Sequence, residues 1–194
     1  KKLPWRDTHL KVVGGAVYGI QRAFLIDWYF VSQTLLTSSV YYPPLSNSIS
    51  NECIAQVVTG SPVSVWPDIM QGFIRIILEA KHYVYIETPY FLPTEPFMAA
   101  ITNAALSGVD VRLLIPAQSD VFITSLATHS YIPEALEAGV KVFLYQKGFN
   151  HSKLIVCDDS LCTCGSTNID FRSFENNFES NIIFYDSKMA KRMK

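Results

Sequence analysis

Two hydrophobic periods trade places along most of the chain. From residue 53 onward, short runs alternating apolar and polar residues are separated by longer runs whose apolar positions recur every three to four residues. The period-two runs predict strands at 54–58, 83–88 (YVYIET), 109–116 (VDVRLLIP), 140–145 (VKVFLY), 153–157 (KLIVC), 161–166 (LCTCGS) and 180–185 (SNIIFY). Helical spacing predicts 68–80, carried by Ile69, Phe73, Ile76 and Ile77, then 95–107, and 120–138 stopped at Gly139. Ahead of this block, 8–13 predicts a short strand and residue 15 into the thirties a helix. Residues 37–51, rich in Ser, Pro, Asn and Tyr, read as a linker or irregular surface loop. The closing DSKMAKRMK predicts the first turns of a further helix. Strand–helix alternation followed by a β-rich last third argues for an α/β sandwich, a mixed central sheet flanked by helices.

Composition sharpens this picture in two ways. The 194 residues are 49% hydrophobic and 17% charged, with a formal net charge of -1. That suits a large core with apolar surface left for a partner or a lipid phase, and it gives no positive field to attract nucleic acid. The most apolar stretch, 16–36, is interrupted by Gln21, Arg22, Asp27 and Gln33, so it reads as an amphipathic helix rather than a membrane span. No segment has the pattern of a signal peptide. Of the four cysteines, Cys157, Cys162 and Cys164 follow C-x4-C-x-C, a spacing that fits no common zinc site, and alternation puts Cys162 and Cys164 on one strand face. With Cys53 they read as small buried apolar residues.

Candidate chemistry gathers in FNHSKLIVCDD, residues 149–159. Positions i and i+2 of a strand share a face, so His151 and Lys153 point the same way from the start of an apolar strand. Downstream, GSTN places Ser166 and Asn168 at the same spacing, and Glu179 enters the last strand. An imidazole, an ammonium, a hydroxyl and a carboxamide make neither a metal cage nor a serine triad. They suit a tetrahedral anion: Lys supplies charge, Ser and Asn supply oriented donors, and His attacks or transfers a proton. Taken singly, each has a plain reading, as a solvated strand-end His, an edge Lys or a turn former. Asp158 reads as the cap of the 158–160 turn.

The string His-x-Lys-x4-Asp followed closely by Gly-Ser-x-Asn resembles the His-Lys-Asp signature of the phospholipase D superfamily. PWRDTHLKVVG, YIETPYFLP, GVDVRLLIP and NIDFRSFENNFE together are similar to bacterial cardiolipin synthases, in their C-terminal part. The resemblance implies two signature copies facing across a pseudo-twofold axis, with no metal and no cofactor. One His attacks phosphorus and forms a phosphohistidine. The other protonates the leaving alcohol and deprotonates the incoming one. The lysines, Ser166 and Asn168 neutralise the phosphoryl oxygens. It brings Asp158 into the catalytic set as the signature's acid, and it implies a phosphatidyl group moving between two phosphatidylglycerol molecules to give cardiolipin and glycerol.

Only one complete signature is present. His9-x-Lys11 lacks the acid, because Ala16 stands where Asp is wanted, and no Gly-Ser-x-Asn follows, so His9 reads as an ordinary strand side chain. An internal repeat nevertheless aligns RDTHLKVVGG from Arg6 with FESNIIFYDS from Phe178, making Asp7 the counterpart of Glu179. In the superfamily such a carboxylate fixes the tautomer of a catalytic His across the twofold. Asp7 is thereby expected to orient His151, and Glu179 a His outside these residues. The expected organisation is the end of a first phospholipase D-like half over 1–36, a linker over 37–52, and a second half over 53–194 whose last helix is cut short. The chain is thus expected to be a fragment, inactive alone and itself soluble, of a protein anchored in the bacterial cytoplasmic membrane by segments outside it. Its expected partners are anionic phospholipid, the N-terminal half and a membrane surface.

Three weaker signals complete the reading. Tyr90 and Phe91 follow a strand and are candidates for the mouth of the site. On the 120–138 helix, Val121, Phe122, Ile123, Leu126 and Tyr131 either wall an acyl-chain groove or cover the sheet, and coverage is the expectation for most of them. Lys188, Lys191, Arg192 and Lys194 read as a solvated helix face, with anionic headgroups as the alternative. The competing functions are a homodimeric phosphodiesterase or nuclease of the same superfamily and a lipid-binding half-site without turnover. Near-neutral charge argues against the nuclease.

Overall fold

The computed structural model describes residues 4–45 and 53–194. The strands are β1 (Trp5–Arg6), β2 (Ile54–Gly60), β3 (Tyr83–Glu87), β4 (Phe91–Leu92), β5 (Asp110–Pro116), β6 (Lys141–Tyr145), β7 (Phe149–Asn150), β8 (Leu154–Cys157), β9 (Leu161–Gly165), β10 (Ile169–Asp170) and β11 (Glu179–Tyr185). The helices are α1 (Ala16–Ser32), α2 (Asp68–Glu79), α3 (Glu95–Leu106), α4 (Phe122–Glu137), α5 (Phe171–Glu175) and α6 (Ser187–Met193), with a 3-10 turn at Ser39–Tyr41. Seven strands form one sheet in the order β2-β11-β9-β8-β3-β5-β6. Its β3-β5-β6 end is parallel and the rest antiparallel, so the sheet is mixed, and the fold is an α/β sandwich.

The parallel end follows from its connections. Residues 95–106 and 122–137 have helical spacing and return the chain to the same sheet edge, as parallel strands require. Each helix ends at a glycine turn, and Gly108 and Gly139 both hold positive φ. On one face, α2 and α3 bury Ile77, Phe97 and Ile101 against Val84, Val111, Leu113 and Ile155. Each such fully buried side chain contributes about 2 kcal/mol. The opposite face carries a smaller core of Tyr83, Val156, Cys162, Ile182 and Phe184, closed by Ala190 of α6.

Several expectations change. The strand expected at 8–13 is instead the two-residue β1, and 7–13 is irregular. The alternation there is real: Leu10 and Val12 pack on the second core while His9, Lys11 and Val13 face out. The segment covers the sheet's face rather than extending an edge, so it finds no ladder, and His9 is not a strand residue. The loop expected over 37–51 falls partly on 46–52, outside the described residues. On α4 only Tyr131 of the five named residues packs on the core. Phe122 and Ile123 are about three-quarters exposed, and Val121 and Leu126 are also open. The helix contacts the core through Thr128, Tyr131, Ile132 and Ala135, one turn and more further along. Lys194 departs from the solvated tail, since its ammonium lies 4.1 Å from the centre of the Tyr83 ring. Among the described residues, no helix is long and apolar enough to cross a membrane.

Candidate active site

A two-stranded parallel ladder builds the site. β1 lies beside β7 with Trp5 opposite Phe149 and Arg6 opposite Asn150. Phe149 N–H donates to Pro4 C=O at 2.9 Å, and His151 N–H to Arg6 C=O at 2.7 Å. Gly148, at φ 137°, permits this approach, because a Cβ there would stand 2.2 Å from the Pro4 oxygen. Alternation then sorts the side chains. Trp5, Asp7, Phe149 and His151 share one face, buried at Phe149 and open at the other three. Arg6, Thr8, Asn150 and Ser152 share the other.

On the open face, His151 Nδ1 stands 3.2 Å from Asp7 Oδ2. The imidazole is flanked by the rings of Trp5, 4.9 Å away, and Phe149, 5.9 Å away. This leaves Nε2 as the ring nitrogen for a substrate, and the His151 side chain is 30% exposed. Lys153 follows on the same face, its Nζ donating to His151 C=O at 2.6 Å. Burial pushes the Lys153 ammonium down to about 8, against the pull of Asp7, Glu179 and Asp170. Lys153 therefore sits in the field of both Asp7 and Glu179.

Across the β8–β9 hairpin, Ser166 Oγ donates to Glu179 Oε2, and Asn177 donates to Glu179 Oε1 at 3.1 Å. Gly165 is pinned against Asn181, whose amide donates to Thr167 Oγ1 at 2.7 Å, and this fixes the turn that presents Ser166. Asn168 Oδ1 is buried without a partner among the described residues.

The remaining candidates divide. Asp158 lies at the far end of β8, about 20 Å along the strand from His151. Its carboxylate accepts from the backbone N–H groups of Lys81, His82 and Tyr83 at 2.6, 2.9 and 2.7 Å. Burial pushes the Asp158 carboxyl up, but these three donors outweigh it and hold the carboxyl below its usual range. Asp158 thus ties the 158–160 turn to the start of β3 and stays away from His151 and Lys153. Phe91 does not belong to a mouth: it is fully buried in the main core, because β4 turns inward to pair with β10. Tyr90 stays at the rim. Its hydroxyl donates to Asp120 Oδ1 at 2.8 Å and its ring lies 6.0 Å from Phe149. A cavity of about 660 Å³ between α2 and the β2–β11–β9 strands is lined by Asp158 but by none of the groups around His151.

Sequence reasoning missed the ladder's other face. Arg6 Nη1 reaches Glu87 Oε1 at 2.5 Å, Asn150 Oδ1 at 3.1 Å and Ser152 Oγ at 3.3 Å. Asn150 Nδ2 donates to the same Glu87 oxygen, and the Thr8 and Ser152 hydroxyls meet at 3.0 Å. Asn150 and Ser152 are fully buried. Polar residues at inward positions of an otherwise apolar segment were the available signal. The thiols of Cys157 and Cys162, both free and buried, are pushed up to about 12 by burial and remain neutral.

Residues 73–194, more than half of the chain, match the family described as "Cardiolipin synthase, PLD-like domain". The chain belongs to this family. It is 41% identical over 98% of its length to a cardiolipin synthase of Clostridium perfringens (strain SM101 / Type A), covering 41% of that protein. It is 45% identical over 97% of its length to one of Geobacillus thermodenitrificans, covering 38%. The chain therefore spans about two fifths of the length of the curated relatives it matches. Among solved structures, the phospholipase D family member Nuc from Salmonella typhimurium superposes with a TM-score of 0.58 at 21% identity, over 73% of this chain and 90% of that one. Phosphatidylserine synthase from Haemophilus influenzae Rd KW20 does so at 0.59 and 18%, over 92% and 44%. Both likenesses confirm the phospholipase D-like fold.

Proposed function

We propose that this chain forms one half of the active site of a phosphatidyltransferase that joins two phosphatidylglycerol molecules into cardiolipin, releasing glycerol. The observation that carries it is the shared open face of His151, Asp7 and Lys153. Residues 1–36 close a first phospholipase D-like half, 37–52 link the halves, and 53–194 make the second. The second His-Lys pair comes from outside these 194 residues. Such a protein acts at a membrane surface, where its substrates reside, and the chain alone gives no turnover.

In this reading one His attacks the phosphorus of the donor, forming an N–P bond as the P–O bond to glycerol breaks. The other His gives its proton to the departing oxygen. That second His then takes the proton of the incoming hydroxyl, whose oxygen displaces nitrogen from phosphorus. Lys153, Ser166 and Asn168 meet the charge that builds on the phosphoryl oxygens. Asp7, on Nδ1, keeps Nε2 of His151 directed at the substrate. Glu179, held by Ser166 and Asn177, does the same for the other His.

Phosphatidylglycerol in detergent micelles with a chelator tests the reading, using the chain alone and the chain co-expressed with the N-terminal remainder of the longer relative. Cardiolipin is expected only in the second case. Transfer in neither, with chelator-resistant cleavage of DNA by the chain alone, would replace the lipid reading with a homodimeric phosphodiesterase. Lys153 adds a pH signature. Its charged form neutralises the phosphoryl group, and it loses its proton near pH 8 rather than near the usual 10.5. Above that point kcat/KM is expected to fall about tenfold per pH unit, and K153R is expected to remove this limb while lowering the plateau. A flat profile to pH 10 in the unsubstituted enzyme would contradict a charged Lys153 at phosphorus.

A further inference from the structure

The geometry points to the Arg6–Glu87 pair, with Asn150 and Ser152, as a latch that sets the register of Asp7 against His151. This rests on the reading of His151 as a reacting imidazole. It assigns positioning roles to residues on the opposite side of the ladder from the reacting groups.

β1 is only two residues long, and the backbone bonds that join it to β7 and its continuation include those from Phe149 N–H to Pro4 C=O and from His151 N–H to Arg6 C=O. A one-residue slip of so short a strand would turn Asp7 to the buried face and put Arg6 or Thr8 beside His151. Backbone pairing alone discriminates poorly between registers, since each offers similar bonds. The open face holds β1 more loosely: Trp5 packs on the Phe149 ring at 5.0 Å but is 61% exposed, and the Asp7 side chain is 57% exposed. Selectivity comes from behind. Glu87 is 12% exposed, sits in β3 of the main sheet, and takes both Arg6 and the buried Asn150 on one oxygen. Leu154 is its partner across the β3–β8 pairing, so the acceptor is rigidly placed beside the strand that follows His151. In the slipped register Glu87 would keep a half-buried charge without its guanidinium, which is costly. The ring of Tyr145, 5.8 Å from the Arg6 guanidinium, adds a further wall. The latch thus converts a weak two-residue pairing into a single register, and that register carries the carboxylate onto Nδ1.

The test is the ring-nitrogen resonances of 15N-histidine-labelled chain, with the His151 signals identified by their loss in H151Q. D7N shifts the His151 pair by removing the carboxylate charge beside Nδ1. R6Q and E87Q are expected to shift it in the same direction by at least half as much, while His9, His82 and His129 stay in place. The R6Q/D7N double variant is expected to add nothing to D7N. In the longer enzyme, R6Q is expected to lower kcat about tenfold with KM within about twofold, as for a misaligned catalytic group. If E87Q loses its fold, R6Q carries the test alone, because the Arg6 side chain is 45% exposed. His151 resonances in R6Q that superimpose on those of the unsubstituted chain would overturn the latch. That result beside intact cardiolipin formation leaves the transferase reading standing. Shifted resonances beside a longer enzyme that makes no cardiolipin would sink the transferase reading and spare the latch.

Discussion

Replacing His151 with Gln in the longer enzyme is expected to abolish cardiolipin formation, by about 10⁴-fold or more, with substrate binding and melting temperature little changed. Either role available to His151 leads to this result. As nucleophile it supplies the nitrogen that bonds phosphorus; as acid it supplies the proton without which the glyceryl oxygen leaves as an alkoxide. Stability should survive, because the imidazole is 30% exposed and its one side-chain hydrogen-bond partner among the described residues, Asp7, is more exposed still. The register of the ladder rests on backbone bonds and on the Arg6 face, neither of which needs the ring. Turnover in micelles and thermal unfolding of the same preparation check the two halves of the statement. Residual activity above about one part in a hundred would remove His151 from the reacting atoms.

Much of this could be read in the sequence because two of the governing patterns are local. Period-two runs gave the strands of the sheet, and the i, i+2 rule alone put His151 and Lys153 on one face. Internal repetition pointed to Asp7, whose oxygen stands 3.2 Å from Nδ1. The failures share a cause: each depends on what a segment packs against. Residues 8–13 alternate as a strand does, yet lie across the second core, where alternation buries Leu10 and Val12 without any ladder. Phe91 follows a strand as mouth residues do, but β4 pairs with β10 and carries it inward. Phe122 and Ile123 have the right composition to cover a sheet, yet the helix meets the core only from Thr128 onward. The latch was hidden because Glu87 and Arg6 are 81 residues apart, and nothing in either neighbourhood names the other.

Asparagine at Asp7 is expected to cut turnover about 10³-fold with KM nearly unchanged, and glutamine at Glu179 is expected to match it in the longer enzyme. The two positions correspond in the internal repeat, but their surroundings differ, and the difference makes the comparison informative. Glu179 is tied on both oxygens, by Ser166 and Asn177, so E179Q also disturbs a local network and should lower the melting temperature modestly. Asp7 spends one oxygen on the Thr8 N–H and the other on His151, and is more than half exposed, so D7N should leave stability alone. A shared loss in kcat, set against unequal losses in stability, would separate a catalytic carboxylate from a structural one. The amide of D7N can still meet Nδ1 but cannot carry the charge that balances an imidazolium, so a large effect locates the contribution in charge and tautomer rather than in shape. A D7N enzyme at the unsubstituted rate would mean that His151 takes its orientation from Trp5 and Phe149 instead, the two rings that flank it.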